Sequence, residues 1–479
     1  KTPPDATEVY LRNFWHRADD KRRALVESLH IDEWEAPKQQ EAAERQAGPR
    51  PYTQISPALR DDWKFLSYKP DERYRAWPSI SDIAQTHFQG VNPNRGWKTS
   101  MIAFDRQELE SRMEDYFSEL SFAQLAGRYP QLCKKWARYA PKKVREKLKK
   151  NRGYQPNRLV PYVIFPFDRR YIYYETEEKF LNEARESIWD HLEENEFFVN
   201  VTEPRRESEY LPMLLTDAFD LHVIDWGAIG WPAELRPSDQ GELFTGANLK
   251  QPFFECLQDI WGLNGDLTGA DAKTLVRQVF RVFVAISHAP AYYEDHTDSL
   301  QNEEARYPFP RSYTLFSELA QMGDLVGKLL NPTCRVSGLV SDILGPDSSQ
   351  LGVVTHDDKA TVDEDDLHLE YKYFGAAKGH WRPREGRPPA THEPMRDEFG
   401  SLTGDLYINE SVYLRHVPEK VWRYRIGGFP ALSKWLGYRQ ENFRDGRPMS
   451  VSEVEDLRGI VQRIAAILVL QPKLDTLYH

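Results

Sequence analysis

Four stretches of the chain place apolar residues at helical spacing and therefore predict helices. Two of them open on a capping pattern, in which Asp105 is followed three residues later by Glu108 and Ser450 is followed by Glu453. Another is apolar almost throughout, which predicts a buried helix. The four predicted helices are Asp105–Phe117, Thr274–Ala289, Ser312–Leu330 and Ser450–Leu470.

Strand-like segments, rich in aromatic and β-branched residues with turn residues between them, occupy other parts of the sequence. These segments are Trp63–Ile102, Leu159–Glu175, Tyr210–Leu235 and Cys334–Thr361. Further helices are predicted in two more charged stretches, Thr7–Glu35 and Glu178–Asn195. The polar stretch Ala36–Pro57 is expected to be a linker. Because helices and strands cluster rather than alternate, the sequence predicts an α+β fold, with mixed helices and short-strand sheets in two or three subdomains.

The segment Val421–Arg439 combines a turn signal with a helix signal. Its two consecutive glycines free the backbone for a tight turn, and Pro430 suits the first turn of a helix, where its missing N–H costs nothing. The apolar residues that follow would form one buried face, while Lys434 and Arg439 are expected to stay in solvent. We therefore expect these apolar side chains to pack in the core.

One segment of this acidic chain is strongly basic. The chain carries a net charge of −11, yet Lys134–Arg158 holds eleven basic residues and one acid, Glu146, with aromatic residues between them. Such a segment could neutralise phosphates and stack on bases, or it could be a solvated helix face. The candidate phosphate contacts are Lys134, Lys135, Arg138, Lys142, Lys143, Arg145, Lys147, Lys149 and Arg152.

Two further segments carry candidate DNA-binding arginines. Lys378–Arg387 surrounds a tryptophan with Arg382, Arg384 and Arg387 in a Gly/Pro-rich setting, so it is either a groove-reading loop or an ordinary surface loop. Within Phe165–Glu175, the tyrosines suit a structural core. One of its two arginines could hold a phosphate, and Asp168 could instead pair with a neighbouring arginine. Those two candidates are Arg169 and Arg170.

The sequence gives little support for disulfides, membrane-spanning segments or metal sites. The three cysteines lie far apart, which fits a reducing cytoplasm, and no apolar run is long enough to span a bilayer. The spacing of eight between His288 and His296 matches no common metal template, and the acidic run Asp363–Asp366 lacks the pattern of a calcium loop. We therefore expect no metal site.

Several of these segments, taken together and in order, resemble the C-terminal specificity (target-recognition) region of Type ISP restriction–modification enzymes and of related adenine-N6 DNA methyltransferases, including DISARM-type ones. The resemblance rests on Phe165–Glu175, Arg281–Pro310, Phe316–Leu330, Tyr407–Asn409 and Val421–Arg439. At the N-terminal side the match is looser, since the stretch Gly96–Met101 lacks the Arg-Asp pair of the family.

The resemblance implies a module that recognises duplex DNA for an adenine-N6 methyltransferase of restriction–modification or phage defence. It implies residues 1–60 as a helical linker after an absent methyltransferase domain, 61–260 as a target-recognition subdomain and 261–479 as a C-terminal specificity subdomain. S-adenosylmethionine would then belong to the upstream domain of the same polypeptide, and this chain would need no cofactor of its own.

Catalytic motifs of that enzyme class are not found in this sequence. Adenine-N6 methylation requires an Asn/Asp-Pro-Pro-aromatic motif that holds the extruded adenine, and neither Pro3-Pro4 nor Pro388-Pro389 has the leading or trailing residue. The chain is therefore interpreted as a non-catalytic part. Two alternatives stay open: a carbohydrate-active or carbohydrate-binding protein, suggested by many aromatic and acidic residues, and a scaffold that acts through partner proteins.

Overall fold

The computed structural model describes residues 9–11, 53–55, 71–93, 100–136, 139–192, 195–201, 210–217, 228–236, 246–262, 270–369, 380–383, 396–439 and 447–479. The chain divides into two compact units, Lys1–Arg73 and Tyr74–His479. The predicted boundaries at residues 60 and 260 stay predictions. One hydrophobic core runs through the larger unit and contains residues from both sides of position 260.

Fifteen short strands are described, and all of the paired ones are antiparallel. They are β1 (Val9–Leu11), β2 (Thr53–Ile55), β3 (Phe88–Gln89), β4 (Ile102–Ala103), β5 (Leu159–Phe165), β6 (Asp168–Tyr173), β7 (Phe197–Val201), β8 (Leu214–Thr216), β9 (Ala228–Pro232), β10 (Val353–His356), β11 (His380–Pro383), β12 (Thr403–Tyr407), β13 (Val412–Pro418), β14 (Arg425–Ile426) and β15 (Phe429–Pro430). In the larger unit they form sheets in the orders β4-β6-β5, β3-β9-β7-β8, β10-β13-β12-β11 and β14-β15.

Thirteen α-helices are described in the same parts of the chain. They are α1 (Glu72–Arg75), α2 (Ile80–Ile83), α3 (Arg106–Phe117), α4 (Phe122–Arg128), α5 (Pro141–Asn151), α6 (Gln251–Trp261), α7 (Ala270–Ser287), α8 (Pro290–Asn302), α9 (Tyr313–Leu330), α10 (Ser337–Leu344), α11 (Glu419–Arg423), α12 (Ala431–Gly437) and α13 (Val451–Tyr478). Helices beside several small antiparallel sheets confirm the predicted α+β class.

The predicted helix starts are confirmed where a side chain caps them. Asp105 accepts a hydrogen bond from the backbone N–H of Glu108 at the start of α3, and Ser312 caps α9 in the same way. Ser450 and Glu453 form a full capping box at α13. Each cap satisfies N–H groups that have no partner within the helix, which fixes the residue at which the helix begins.

Helices α7 and α9 make the closest crossing in the core. A Cβ built on Gly323 of α9 would lie 1.8 Å from the backbone oxygen of Arg281 in α7, so only glycine allows the two backbones to approach this closely. One turn further along α9, a Cβ on Gly327 would meet the side chain of Leu215 in β8 at 2.6 Å. The pair therefore packs against the β3-β9-β7-β8 sheet as well.

The long last helix, α13, touches more elements than any other described helix. It packs on α8, α9 and α10, and also on α11, α12 and strand β10. Polar contacts fasten both halves: Arg463 donates hydrogen bonds to the carbonyls of Asn331 and Cys334 just after α9, and Asp475 accepts the N–H of Ala291 in α8. The predicted helix Ser450–Leu470 is confirmed and extends to Tyr478.

Four predicted elements are wrong in whole or in part within the described residues. Trp63–Ile102, predicted as strands and loops, also contains helices α1 and α2. Val9–Leu11, placed in a helix, is strand β1, and the rest of Thr7–Glu35 lies outside the described residues. Glu178–Asn195 contains 3₁₀ turns instead of an α-helix, because positive φ angles at Glu178, Lys179 and Arg185 interrupt it. The strand-like stretch after Cys334 begins with helix α10, whose Val340 and Leu344 are buried.

No helix in the described part of the chain combines the length and the apolar character needed to cross a bilayer. The described residues also contain no group of three or more His, Cys, Asp or Glu side chains arranged to hold a metal ion. His288 is buried, and burial lowers its pKa to about 4, partly offset by its contact with the carbonyl of Met213. It is therefore a neutral core residue at neutral pH.

Candidate nucleic-acid interface

The basic segment folds around helix α5. Pro141 occupies the first turn, where a missing N–H is harmless, and the side chains of Val144 and Leu148 are buried one turn apart. Because these apolar residues lie four positions apart, most of the other positions of α5 face outward, with the exception of the buried Arg145. The helix thus presents its lysines on the surface of the larger unit.

Arg145 and Lys149 are used by the protein itself. The guanidinium of Arg145 is buried and donates to the carbonyl oxygens of Tyr116 and Ser118, at 2.6 and 2.9 Å. Lys149 Nζ donates to the same Ser118 oxygen at 2.6 Å and to the Glu119 carboxylate at 3.0 Å. These bonds cap the C-terminal end of α3, where carbonyl groups lack helical partners. A DNA phosphate would have to displace them.

Two more predicted contacts form surface ion pairs. Lys147 Nζ lies 2.7 Å from the Glu178 carboxylate. Arg152 donates to Glu177 and lies 4.0 Å from the buried Glu175. Each of these cations is partly neutralised before any ligand arrives, although exposed pairs of this kind are weak and can exchange.

The remaining lysines of the segment have no hydrogen bond or ion pair within the part of the chain that the structure describes. We call them the free lysines: Lys134, Lys135, Lys142, Lys143 and Lys150. Trp136 stands among them with 42% of its surface exposed, and its ring lies 5.9 Å from Lys134 Nζ. Arg138 lies outside the described residues. Lys150 was absent from the candidates, although helical spacing places it on the stripe of Lys143.

Strand β6 carries the two candidate arginines on opposite faces. Arg170 is buried and donates to Asp168 at 3.0 Å, so the predicted pairing of Asp168 with a neighbouring arginine is confirmed. Arg169 points the other way and is partly exposed. The turn before the strand is tight, because Phe167 adopts a positive φ of 69°. Whether Arg169 or Arg170 contacts DNA stays a prediction.

The expected exposure of Arg439 is wrong. Arg439 is buried and donates to Asp168 at 3.2 Å, and its Nε lies 3.4 Å from the Glu453 carboxylate. Its guanidinium stacks 3.3 Å above the ring of Trp435. The strong attraction of two carboxylates, one of them 271 residues away, explains why this cation leaves solvent.

Asp168 therefore joins two segments that are distant in sequence. It accepts from Arg170 within its own strand and from Arg439 after α12, and Trp435 Nε1 donates to the carbonyl of Phe167 at 3.1 Å. We call Asp168, Arg170, Arg439 and Glu453 the buried charge cluster. Burial by itself would raise the pKa of Asp168, but the two guanidinium groups hold it below its ordinary value of 3.8.

The prediction for the apolar residues of Val421–Arg439 is confirmed, whereas Lys434 is more buried than expected. The side chains of Ala431, Leu432, Trp435 and Leu436 are all buried, and Gly427, with a φ of 56°, makes the turn between β14 and β15. Lys434 is half-buried, and burial lowers its pKa. The segment is thus a packing element that orients α12 against β6.

A polar cleft lies beside the buried charge cluster. Its walls are the outer face of β6, the first turn of α3 and the first half of α13, and its volume is about 290 Å³. Arg169 and Tyr171 of β6 form one wall, while Asp105 and Asp456 face it from the two helices. No sequence pattern indicated this cleft, because its walls come from three separate parts of the chain.

The third group of candidates is only partly described. Arg382 lies in edge strand β11 with its side chain exposed, and its guanidinium sits 4.9 Å above the ring of Tyr407. Arg384 and Arg387 lie outside the described residues. The prediction that this segment reaches a DNA groove therefore stays a prediction.

Comparisons with known proteins give one matching family model and several solved structures of similar fold. The sequence model of the family described as "Type ISP C-terminal specificity domain" matches residues 82–458. A nuclease-deletion mutant of the Type ISP restriction–modification enzyme LlaGI, solved with a DNA substrate mimic, superposes with a TM-score of 0.56 at 13% identity, over 100% of this chain and 39% of that one. No curated protein sequence matches the chain.

Two further solved structures share the fold. The DrdV–DNA complex has a TM-score of 0.54 at 16% identity over 89% of this chain, and the ATP-dependent Type ISP restriction–modification enzyme LlaBIII bound to DNA has 0.52 at 13% over 90%. This chain spans only 40% and 26% of those two chains. At such identities the similarity describes the fold alone.

Proposed function

The chain belongs to the family of Type ISP C-terminal specificity domains, and on that premise we propose that it binds duplex DNA and selects the target sequence of a restriction–modification enzyme. The matched residues, 82–458, include α5, the β5–β6 hairpin and the segment Val421–Arg439. The solved relatives of the same fold are complexes with DNA or with a DNA mimic, which supports the same role.

The observation that carries the proposal is the set of free lysines in an acidic chain. Duplex DNA presents closely spaced phosphates, and each lysine that neutralises one releases condensed counterions. Among the described residues the free lysines have no hydrogen bond or ion pair to give up, in contrast to Lys147 and Arg152, which would first break an ion pair. They supply affinity and position, while base contacts elsewhere select the sequence.

We further propose that the adjoining catalytic part is an adenine-N6 DNA methyltransferase in the same polypeptide, which uses S-adenosylmethionine. The enzyme would act in the cytoplasm in phage defence. The support is the motif resemblance together with the length of the solved relatives, of which this chain spans 26–40%. The sequence encoded directly before Lys1 tests this: an Asn-Pro-Pro-aromatic motif is expected there, and an unrelated domain would contradict it.

The experiment for DNA binding is a salt titration with matched charge variants. A fluorescently labelled duplex is titrated with the whole chain at several salt concentrations, and the slope of log K against log [salt] is compared. Lys142→Gln/Lys143→Gln/Lys150→Gln removes three free lysines. Lys147→Gln/Lys149→Gln/Arg152→Gln removes three paired cations from the same helix and its end, with the same change in net charge.

We expect the free-lysine variant to flatten the slope by about 0.9 for each lysine that contacts a phosphate, and the paired-cation variant to change it less. Equal flattening of the slope in both variants would show that binding depends on net charge and not on contacts of particular lysines. The free lysines would then not belong to the interface. Folded wild-type protein that fails to bind duplex at low salt would contradict the proposed function as a whole.

A further inference from the structure

The polar cleft beside β6 has the features of a ligand site that the proposed function does not use. Its volume of about 290 Å³ is close to the lower end of small-ligand pockets, about 300 Å³. It is walled by side chains of both charges and by three aromatic residues, Phe104, Phe167 and Tyr171. Three arginines line it, and their bonding differs.

The protein already holds two of the three arginines, although the Nε of Arg439 also has no hydrogen-bond acceptor. Arg439 is held by Asp168 and Glu453, and Arg463 donates to carbonyl groups in the last turn of α9 and just after it. Arg169 makes no hydrogen bond or ion pair among the described residues, and its Nε is shielded from solvent without an acceptor. Its guanidinium rests 5.1 Å from the centre of the Tyr171 ring. The two Nη atoms of Arg169 have no acceptor among the described residues either and stay open to solvent, so they can donate to a ligand in the cleft.

Guanidinium geometry narrows the choice of ligand. A planar fork of N–H donors matches the oxygens of a phosphate in pairs, and the positive end of α3, a helix of 12 residues, opens on the same cleft. Asp105 and Asp456 also face the cleft and would repel a bare phosphate. They would accept hydrogen bonds from the amino and imino groups of a base, and Tyr171 offers a flat surface for stacking.

We infer that this cleft binds one nucleotide unit, with its phosphate on Arg169 and the polar edge of its base toward Asp105 and Asp456. The unit comes either from DNA, as a nucleotide outside the helical stack, or from a free nucleoside monophosphate. The inference deepens the proposed function and rests on it only where the nucleotide belongs to DNA.

The test uses the whole chain and isothermal titration calorimetry with each of the four 2′-deoxynucleoside 5′-monophosphates. At least one of them is expected to bind with one site per chain, and to bind at least tenfold more tightly than inorganic phosphate or the matching nucleoside. Arg169→Gln is expected to weaken this binding at least tenfold, and Arg169→Lys less. Arg128→Gln, an exposed arginine paired with Asp115 away from the cleft, serves as the control and leaves binding unchanged.

Failure of all four monophosphates to bind folded protein at millimolar concentration overturns the inference, as does unchanged binding in Arg169→Gln. Competition separates the two sources. A duplex with one unpaired nucleotide that displaces the bound monophosphate, where a fully paired duplex does not, supports DNA as the source. Monophosphate binding that neither duplex displaces supports a free nucleotide.

The free-lysine variant separates the inference from the proposed function. If Lys142→Gln/Lys143→Gln/Lys150→Gln loses duplex binding and keeps monophosphate binding, the cleft is a separate site and the inference stands. If wild-type protein binds no duplex yet binds a monophosphate through Arg169, the proposed function fails and the cleft remains. Loss of monophosphate binding in the free-lysine variant would place the nucleotide on α5 and overturn the inference.

Discussion

Two regions of this protein concentrate positive charge, and they use it in opposite ways. The free lysines on and before α5 stand in solvent, with no hydrogen bond or ion pair in the described part of the chain, beside the exposed Trp136. The buried charge cluster encloses Arg170 and Arg439, whose guanidinium groups are bonded to Asp168 and stacked on aromatic rings. The first region is available to a ligand, whereas the second holds two distant segments together.

The difference follows from the chemistry of the two side chains. An ammonium group is compact and strongly hydrated, so lysine keeps its charge in water and buries only its apolar stem. A guanidinium is planar and weakly hydrated, and it can satisfy several acceptors while it stacks on a ring. A count of positive residues in the sequence therefore overstates the charge that DNA can reach.

The largest expected effect comes from removing the anion at the centre of the cluster. Asp168→Asn leaves two buried guanidinium groups without their shared charge, and we expect the free energy of unfolding to fall by about 3–5 kcal/mol. Urea denaturation followed by circular dichroism measures it. Glu119→Gln, which removes a carboxylate that is 97% exposed, is the control. A loss below 1 kcal/mol in Asp168→Asn would mean that packing holds the segments together.

Replacing an arginine of the cluster by lysine should lower the free energy of unfolding by less than Asp168→Asn does. Arg439→Lys keeps the charge but loses the paired donors and the stacking on Trp435, so we expect a loss of about 2 kcal/mol in the free energy of unfolding. Lys143→Arg, in the other region, should change neither stability nor duplex affinity. Thermal and urea unfolding of both variants test this. Equal stability of the two variants would show that the cluster requires only charge.

The smallest effect is the pH dependence of the cluster. Since the folded-state pKa of Asp168 lies below its ordinary value of 3.8, its stabilisation is complete above that value and is lost as the pH falls toward the folded pKa. Below pH 4, the difference in unfolding free energy between wild type and Asp168→Asn should shrink by at most about 1.4 kcal/mol per pH unit. Urea midpoints at pH 5.5, 4.5 and 3.5 measure it. A constant difference would contradict the lowered pKa.

Local patterns predicted much of the fold. Capped helices, the strand character of Leu159–Glu175 and the turn before α12 depend on residues a few positions apart, and their signals lie in the sequence itself. The tight turn that divides Leu159–Glu175 into β5 and β6 was not predicted. The 3₁₀ turns within Glu178–Asn195 could not be predicted, because the positive φ angles at Glu178 and Arg185 occur at residues that carry no such preference.

The candidate site was less predictable, because pairing depends on residues far along the chain. The acids that engage Lys147 and Arg152 are 31 and 25 residues away, and nothing near α5 identifies them. For Arg439 a local signal did exist. It follows Trp435 by four positions and so extends the apolar stripe of α12, where a cation is unexpected unless an anion meets it.

Helix α13 has a consequence for the order in which the protein can mature on the ribosome. Its residues are translated about 340 positions after α3, which at about 5–20 residues per second means a delay of roughly 20–70 s. Until α13 emerges, the surfaces of α9 and α10 that it packs on stay exposed, and Glu453 cannot yet pair with Arg439. Nascent chains of this protein should therefore depend on chaperones until α13 has emerged.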